Sequence, residues 1–393
     1  MILLDADMPR PAASLDTMPH SAIREMGALA ARHPGAIRLE AGDPDFTTPE
    51  HIIEAAAAAA RAGFTKYTPS GGLMSLRELC AEKVARRNGL ACAVEQVVVT
   101  TGGCGGLFTS LACLLDPGDE VLVPDPGWAN YPPIVHALGG VAVGYPLDPG
   151  RGFEPDLDAL PALIGPRTKV LLVNTPGNPT GAVYERATLA ALLELAARHD
   201  LWIVSDECYD EIVFEGEHVS IATLGEAERV VSVFSFSKSY AMTGWRIGYT
   251  VAPPVLAPAL VRAQEPVVGN AASVSQKAAE AALLGPQDCV GEMRDAYRAR
   301  RDATIAQLDA AGVGYVRPRG AFYLMVDVSA AGESLAFARR LLEEHQVSVV
   351  PGSAFGPTGE GMVRVSLSVA PEALRAGIER LALALARLTS NTG

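Results

Sequence analysis

Short apolar runs recur through the middle of the chain, at residues 96–100, 120–124, 169–174, 201–205, 229–235 and 247–252. Longer stretches separate them, and two of these, residues 105–115 and 186–199, have the spacing of apolar positions that is typical of helices. Strands that are apolar on both faces and alternate with helices are typical of a largely parallel sheet covered by helices. The pattern therefore predicts an α/β domain whose ligands bind beyond the C-terminal ends of its strands.

The pattern changes after about residue 285. A charged helix is predicted over residues 292–310, followed by strand-like segments at 322–328 and 362–367 and a closing helix from Pro371. Gly285-Pro286 is a turn signal, and a chain of 393 residues is longer than one compact core usually holds. We therefore predict a large domain over residues 41–285, and a smaller α+β domain formed by residues 1–40 and 286–393, including an N-terminal arm.

The charge balance narrows the function. The formal net charge is −13, whereas nucleic acids and anionic membranes attract basic surfaces, so we expect neither as a partner. The N-terminal residues carry acids where a secretory signal carries bases, and no apolar run is long enough to span a bilayer. The 6 cysteines are scattered without a C-x-x-C pair, as expected for reduced thiols. We therefore predict a cytoplasmic protein.

The segment that runs from Ser235 to Arg246 carries the strongest chemical signal. Lys238 lies between hydroxyl side chains directly after an apolar run. A lysine must lose its proton to attack an aldehyde, which a cationic and partly desolvated site favours. Ser235, Ser237 and Arg246 offer hydroxyls and a charged fork to phosphate oxygens. The segment predicts an imine-forming lysine beside a phosphate, the chemistry of pyridoxal phosphate, although taken alone it also fits a solvated lysine in a serine-rich loop.

A glycine-rich turn follows the run at residues 96–100. Glycines on both sides of Cys104 mark the start of a helix. Free amide groups at a helix start attract anions, and glycines let the backbone approach a phosphate closely. The spacing matches neither G-x-G-x-x-G nor the P-loop. The turn therefore predicts a phosphate seat of another kind, and glycines that serve only packing are the alternative.

Polar side chains follow two further apolar runs. Asp206 lies at the end of the run at 201–205, where a carboxylate can keep a pyridine nitrogen protonated so that the ring accepts the electrons of a substrate carbanion. Tyr209 lies just beyond and is a candidate donor to the phenolic oxygen of the same ring. Asn178, in the turn-rich segment 174–181, is a second candidate donor. For Asp206, a helix-capping role stays open.

Several motifs occur together along the chain: Gly42-Asp-Pro-Asp-Phe46, Tyr67-Thr-Pro-Ser-Gly-Gly72, Pro126-Gly-Trp-Ala-Asn-Tyr-Pro132, Asn178-Pro-Thr-Gly181, Asp206 with Tyr209, and Ser235-Phe-Ser-Lys238 with Arg246. In this combination the chain resembles the class I and II aminotransferases of the aspartate aminotransferase type, from about residue 20 to its C-terminus. The resemblance implies fold type I, with a mostly parallel sheet of the seven-stranded type flanked by helices and a smaller α+β domain. It also implies a transaminase that moves an amino group between an L-amino acid and a 2-oxo acid.

The resemblance implies roles for the residues around the cofactor ring. Lys238 would form a Schiff base with pyridoxal 5'-phosphate and then move the proton between the substrate Cα and the cofactor. Asp206 would pair with the pyridinium nitrogen, while Asn178 and Tyr209 would bond the phenolic oxygen. Trp128 resembles the aromatic residue that stacks on the ring.

The phosphate residues are implied in the same way. The group comprises the backbone amides of Gly103 and Cys104 and the side chains of Ser235, Ser237 and Arg246. Tyr67 resembles the tyrosine that reaches the phosphate of the neighbouring subunit, which implies a homodimer with shared active sites.

The substrate side of the site is also implied by resemblance. Arg364, in Met362-Val-Arg-Val-Ser366, resembles the arginine that clamps the substrate α-carboxylate, a bidentate task that lysine performs poorly. Gly42 would offer a backbone contact to the same carboxylate, and Asn178 would also bind the substrate. A strand-surface arginine is the alternative interpretation of Arg364.

The donor prediction depends on a missing cation. Relatives specific for dicarboxylates need a second basic residue, but Cys104 takes one of the two positions and residues 263–276 contain no Lys or Arg. Burial of an unpaired second carboxylate costs several kcal/mol. We therefore predict a neutral, apolar or aromatic amino donor, with Ile23 and Trp128 lining the side-chain pocket. Arg24 could still admit a dicarboxylate acceptor such as 2-oxoglutarate.

Three other functions stay open at the level of sequence. A β-lyase, cyclase or oxidase on the same scaffold would keep the same lysine and aspartate. A regulator that only binds an effector would need a DNA-binding segment, for which the arm before Gly42 is short and the charge is acidic. A metal hydrolase would need paired ligands, and the 7 histidines form no H-E-x-x-H motif. We interpret these histidines as surface or capping residues.

Overall fold

The computed structural model describes residues 22–391, with side chains through residue 388. Its helices are α1 (Ala22–Ala30), α2 (Glu50–Arg61), α3 (Met74–Asn88), α4 (Gly102–Leu114), α5 (Tyr131–Ala137), α6 (Arg186–Arg198), α7 (Phe236–Ser239), α8 (Ala257–Val268), α9 (Ser273–Leu284), α10 (Asp288–Ala311), α11 (Ser334–His345) and α12 (Pro371–Asn391). Its strands are β1 (Ile37–Arg38), β2 (Val97–Thr100), β3 (Glu120–Asp125), β4 (Val141–Asp148), β5 (Glu154–Pro155), β6 (Thr168–Asn174), β7 (Trp202–Asp206), β8 (Val230–Ser235), β9 (Gly248–Val251), β10 (Tyr315–Val316), β11 (Tyr323–Asp327), β12 (Val347–Ser348), β13 (Val350–Pro351) and β14 (Met362–Ser366). The first 21 residues of the predicted N-terminal arm lie outside the described residues.

The large sheet has the strand order β2-β9-β8-β7-β6-β3-β4-β5. Its central strands β4, β3, β6, β7 and β8 run parallel, whereas β9 is antiparallel to both of its neighbours. The two-residue strand β5 extends one edge. Strands β2, β8 and β9 are buried along their whole length, as expected for a sheet covered on both faces. The predicted mostly parallel α/β sheet is confirmed.

A second layer of structure follows α10. Strands β10, β11, β14 and β13 form an antiparallel sheet, and the short strand β1 pairs in parallel with β12. A separate apolar cluster supports it, with α1, α11 and α12 contributing Met26, Phe337, Leu341, Ile378 and Leu381. Within residues 22–391, no helix is long and apolar enough to cross a membrane.

The fold brings several chain segments to one edge of the large sheet. Parallel strands that end at the same edge place their following loops side by side. The segments that follow β2, β6, β7 and β8 begin near Gly102, Thr175, Glu207 and Phe236. The second sheet faces this edge through β11 and β14, whose Tyr323 and Arg364 line the same cavity.

Candidate active site

A cavity of about 470 Å³ lies at this edge, within the size range of small-molecule sites. Its lining comes from the loops after four strands of the large sheet, from α4 and α7, and from the second sheet. The residues are Ile23, Gly42, Asp43, Gly103, Cys104, Leu107, Trp128, Tyr131, Asn174, Asn178, Asp206, Cys208, Tyr209, Ser235, Ser237, Lys238, Thr243, Gly244, Arg246, Tyr323 and Arg364.

Lys238 reaches the cavity from α7, a single helical turn directly after β8. Ser235 caps this turn, because its hydroxyl accepts a hydrogen bond of 3.1 Å from the amide of Ser237. The Lys238 ammonium donates to the carbonyl oxygen of Gly42 at 2.7 Å. It also lies 5.7 Å from the centre of the Phe322 ring. The reactive amine is therefore held at the segment that carries Gly42.

Asp206 ends β7 and is buried at 5% exposure. One carboxylate oxygen accepts from the Tyr131 hydroxyl at 2.7 Å, and the other accepts from the amide of Cys208 at 3.2 Å. Burial raises the pKa of Asp206, while the hydrogen bonds from Cys208 and Tyr131 act in the opposite direction. Asn174 fixes the backbone, because its side-chain amide donates to the Asp206 carbonyl at 3.0 Å.

The start of α4 forms a cationic, amide-rich corner. A Cβ added to Gly102 would lie 2.7 Å from a terminal nitrogen of Arg246, so this guanidinium lies against the first turn of α4. Arg246 has a left-handed backbone with φ of 50° and donates to the carbonyl of Thr243 at 2.7 Å. The amides of the first helical turn have no intrahelical partners. The start of α4, the Arg246 guanidinium and the nearby Ser235 hydroxyl are together suited to bind a dianion.

Arg364 projects from β14 and is buried at 2% exposure. Its guanidinium donates to the side-chain oxygen of Asn178 at 3.0 Å and to the carbonyl of Glu40 at 2.7 Å. It packs against the ring of Tyr323, 4.3 Å from the ring centre. Burial lowers the pKa of Arg364, and its Nε is buried without a hydrogen-bond partner among the described residues. A buried, incompletely satisfied guanidinium at a cavity wall is suited to bind a carboxylate.

Most of the residues singled out from the sequence meet in this cavity. Lys238, Asp206, Asn178, Arg246 and Arg364 line it, as do the other proposed cofactor and substrate residues Gly42, Gly103, Cys104, Trp128, Tyr209, Ser235, Ser237 and Ile23. Tyr67 does not line it and is 94% exposed on the chain surface. Arg24 is also absent from the lining, although it follows Ile23.

Two tyrosines of the cavity were not singled out from the sequence. Tyr131 binds Asp206, and the Tyr323 hydroxyl lies 3.1 Å from that of Tyr209. Tyr131 lies in the segment 126–132, which the sequence did indicate. The partner of Tyr131 is 75 positions away in the chain, and the partner of Tyr323 is 114 positions away. Local spacing in the sequence does not reveal such contacts.

A buried polar network supports the loop that carries Asp206 and Tyr209. Lys83 of α3 forms an ion pair with Asp210 and donates to Asn88 at 3.0 Å. Although burial opposes its charge, Lys83 and His218 hold the pKa of Asp210 below its ordinary value. The surface interpretation of the histidines is wrong for His218, whose side chain is 6% exposed and bonds Glu207 at 2.8 Å. Buried Glu207 requires a polar partner, which a sequence pattern cannot locate.

Comparison with known proteins identifies close relatives. The family described as aminotransferase class I and II matches residues 34–381. The chain is 43% identical to an aspartate/prephenate aminotransferase of Thermus thermophilus, over 92% of this chain and 94% of the relative. It is 44% identical to an arginine–pyruvate transaminase of Pseudomonas aeruginosa, over 89% and 90% of the two chains. A solved aspartate aminotransferase of Thermus thermophilus, a single mutant, superposes with a TM-score of 0.92 at 42% identity, over 96% of this chain and 100% of that chain.

Proposed function

Because the chain belongs to the class I and II aminotransferases, we propose that its transaminase reaction is carried by Lys238, Asp206 and Arg364, with pyridoxal 5'-phosphate as cofactor. The observation that carries the proposal is that these three residues line one cavity of about 470 Å³. They supply an amine, a buried carboxylate and a buried guanidinium, which are the groups that an amino-acid substrate and a pyridine cofactor require.

The residues of the cavity fit this cofactor. The first turn of α4, Arg246 and Ser235 form the corner suited to a phosphate dianion. Asp206 is buried and lines the cavity. Its oxygens accept from the Tyr131 hydroxyl and from Cys208, so acceptor capacity remains for a protonated ring nitrogen. Gly103 suits close approach, since a Cβ there would lie 2.5 Å from the sulfur of Cys208. When bound, pyridoxal phosphate supplies an electron-accepting ring that stabilises negative charge at the substrate Cα.

The protein groups divide the remaining work. Arg364 binds the substrate α-carboxylate in a bidentate manner and so orients the Cα–H bond. The Lys238 Nζ donates a hydrogen bond to the Gly42 carbonyl. In the reaction, Nζ accepts the substrate Cα proton and gives it back as the product forms. Asp206 would keep the ring nitrogen of a bound cofactor protonated, and Trp128 would pack against the ring and exclude water.

The substrate side favours a neutral donor. Cys104 is an exposed residue in the first turn of α4. Partial desolvation of its sulfur raises its pKa, which keeps the thiol neutral. Asp43 also lines the cavity, and its carboxylate would repel a second substrate carboxylate. Ile23, Trp128 and Leu107 add apolar surface. The relatives named above act on aspartate, prephenate and arginine, so family membership alone does not select the donor.

Half-reactions with a panel of L-amino acids test the function and the donor class together. The protein is loaded with pyridoxal phosphate, mixed with one amino acid without acceptor, and followed by its visible spectrum and by the 2-oxo acid formed. We expect apolar or aromatic amino acids to react faster than glutamate and aspartate. If glutamate or aspartate outruns every neutral amino acid, the donor assignment is wrong. Formation of pyruvate and ammonia in repeated turnover without acceptor would instead indicate a β-lyase.

The quaternary structure is part of the proposal. We propose a homodimer in which Tyr67 completes the phosphate site of the partner subunit. Tyr67 is 94% exposed, which suits a residue whose partner is another chain. Val255, Val267 and Leu284, on or beside helices α8 and α9, are also exposed apolar side chains, and such side chains are enriched at interfaces when they are contiguous.

A further inference from the structure

We propose that Tyr131 is a positioning residue that keeps the Asp206 carboxylate ionised and oriented toward the ring nitrogen of the cofactor. The inference rests on the proposed use of pyridoxal phosphate and deepens it. Its carrying observation is the buried hydrogen bond of 2.7 Å from the Tyr131 hydroxyl to one Asp206 oxygen. This residue acts through Asp206 and not on the substrate.

The packing of Tyr131 leaves its hydroxyl little freedom. Tyr131 is 1% exposed and belongs to an apolar cluster with Leu107, Val123 and Ile134. Its ring also lies edge-on to Trp128, with 5.3 Å between ring centres. The ring is therefore held by packing, and the hydroxyl points at a fixed acceptor. One segment, residues 126–132, thus supplies both the aromatic wall of the cavity and the donor to Asp206.

The direction of the hydrogen bond decides its effect on charge. Burial raises the pKa of Tyr131 well above its ordinary value, so the phenol stays protonated and donates. A donor to the charged form of a carboxyl favours ionisation, whereas burial of Asp206 opposes it. Removal of the donor therefore raises the pKa of Asp206, and the carboxyl takes up a proton at a higher pH. A protonated Asp206 no longer pairs with a ring N–H, so cofactor affinity falls on the acid side.

Other titratable groups face Asp206 from the elements around it. Cys104 lies on α4 and Lys238 on α7, both lining the cavity, and Cys208 and Glu207 lie on the loop that follows Asp206. Burial raises the pKa of both cysteines, so they stay neutral in the acid range. Glu207 is engaged by His218 and Ser220 on its other side. None of these groups changes when the Tyr131 hydroxyl is removed, and the ring nitrogen and phosphate of the cofactor are also common to both proteins.

The test measures cofactor binding, not activity. The apo-protein is titrated with pyridoxal phosphate between pH 5 and pH 9 by absorbance, for the wild type and for Tyr131→Phe. We expect the pH at which affinity falls on acidification to rise by about one pH unit in Tyr131→Phe. A loss of affinity that is equal at every pH, or an unchanged acid limb, would overturn the proposal, since a merely structural hydroxyl lowers affinity without moving the limb.

Two further variants make the result decisive. Tyr145→Phe removes another buried tyrosine hydroxyl, which donates to the Leu172 carbonyl at 2.9 Å and does not line the cavity, and its acid limb should match the wild type. 3-Fluorotyrosine at position 131 keeps the shape but is a stronger donor, so the limb should move to lower pH; no movement or a move to higher pH counts against the proposal. If the wild type binds no pyridoxal phosphate, the proposed function is wrong. If the wild type binds it but the acid limb of the affinity curve is the same in the position-131 variants, only the role of Tyr131 is wrong.

Discussion

At the scale of the residue, Arg364 combines burial with an incomplete set of partners. Its terminal nitrogens bond Asn178 and Glu40, while its Nε has no partner among the described residues. A guanidinium held in this way is oriented before the substrate arrives, which lowers the entropic cost of binding. The same fork cannot be reproduced by an ammonium group.

We predict that Arg364→Lys lowers kcat/KM for amino donors on the order of 100-fold, since one charged hydrogen bond is worth about 1.5–3 kcal/mol. The decrease in kcat/KM should arise mainly from a higher KM. The visible spectrum of the bound cofactor should be unchanged. Arg375→Lys, at an exposed position of α12, is the matched control and should behave as the wild type. An Arg364→Lys enzyme with unchanged KM would exclude the carboxylate clamp.

Cys104 offers a second test at this scale. A cation at the start of α4 would face the substrate side of the cavity, so Cys104→Lys should raise kcat/KM for glutamate and aspartate by about tenfold, equivalent to about 1.4 kcal/mol. Cys104→Ser, which adds no charge, should leave the ratio of acidic to neutral donors unchanged. Steady-state kinetics with a common acceptor measures both. Equal donor ratios in the two variants would show that position 104 does not face the substrate.

The sequence located those site residues whose polar side chains stand out beside or within an apolar segment. Asp206 ends β7 and Lys238 follows β8, where the apolar pattern stops, whereas Arg364 stands out as a charge within the apolar strand β14. Tyr131 and Lys83 could not be found in this way, because a tyrosine before prolines or a lysine in a charged helix looks ordinary until the chain is folded. Their partners, Asp206 and Asp210, are distant in sequence.

At the scale of the element, the start of α4 is where packing and cofactor binding meet. Gly248 of β9 lies so close that a Cβ there would be 2.9 Å from the amide nitrogen of Gly103. The first turn of α4 therefore packs closely against β9 on one side and against the Cys208 side chain on another. Sequence predicted this helix at residues 105–115, but it begins at Gly102, because the glycines that suggested a turn are already helical.

We predict that Gly103→Ala destabilises the protein by about 1–3 kcal/mol, as overpacking typically does, and weakens pyridoxal phosphate binding. The added Cβ would lie 2.5 Å from the Cys208 sulfur. Gly105→Ala is the matched control two residues along the same helix, where the nearest atom lies at 3.4 Å, so stability should be unchanged or slightly higher. Thermal unfolding with and without cofactor measures both effects. Similar unfolding of the two variants would contradict the close approach at Gly103.

Two strands of the large sheet were missed, β4 and the two-residue strand β5. Strand β4 contains Gly144 and Pro146 and is only partly buried, with its first residue, Val141, exposed. Glycine and proline interrupt the apolar pattern, and both are tolerated toward the edge of a sheet, where β4 is covered by β5 over two residues only. The six predicted strands have stronger patterns because most of their residues are buried.

At the scale of the whole molecule, the pairing of β1 with β12 joins the beginning of the described chain to its C-terminal part. This pairing supports our proposal that residues 1–40 belong with residues 286–393 in a small domain, although residues 1–21 lie outside the described part. The boundary near Gly285-Pro286 and the cytoplasmic location stay predictions. Shared active sites are a further whole-molecule proposal, and they have a direct genetic test.

We predict that Lys238→Ala and Tyr67→Ala complement each other in a mixed dimer. Each variant alone should be inactive or strongly impaired, because both of its sites lack one group. In a hybrid, the subunit with intact Lys238 would receive Tyr67 from its partner, so one site is native and up to about half of the wild-type activity returns. Co-expression with two affinity tags isolates the hybrid. Hybrids no more active than the mean of the parents would contradict a site shared through Tyr67.

Lys238 is proposed as the residue that forms the covalent bond to pyridoxal phosphate. Borohydride reduction of the cofactor-loaded protein, followed by peptide mass spectrometry, tests it most directly because the reduced bond is permanent. We expect a visible absorption band before reduction and the reduced cofactor mass on the peptide that contains Lys238, with both lost in Lys238→Ala. Attachment to a different lysine, or a band that persists unchanged in Lys238→Ala, would contradict it.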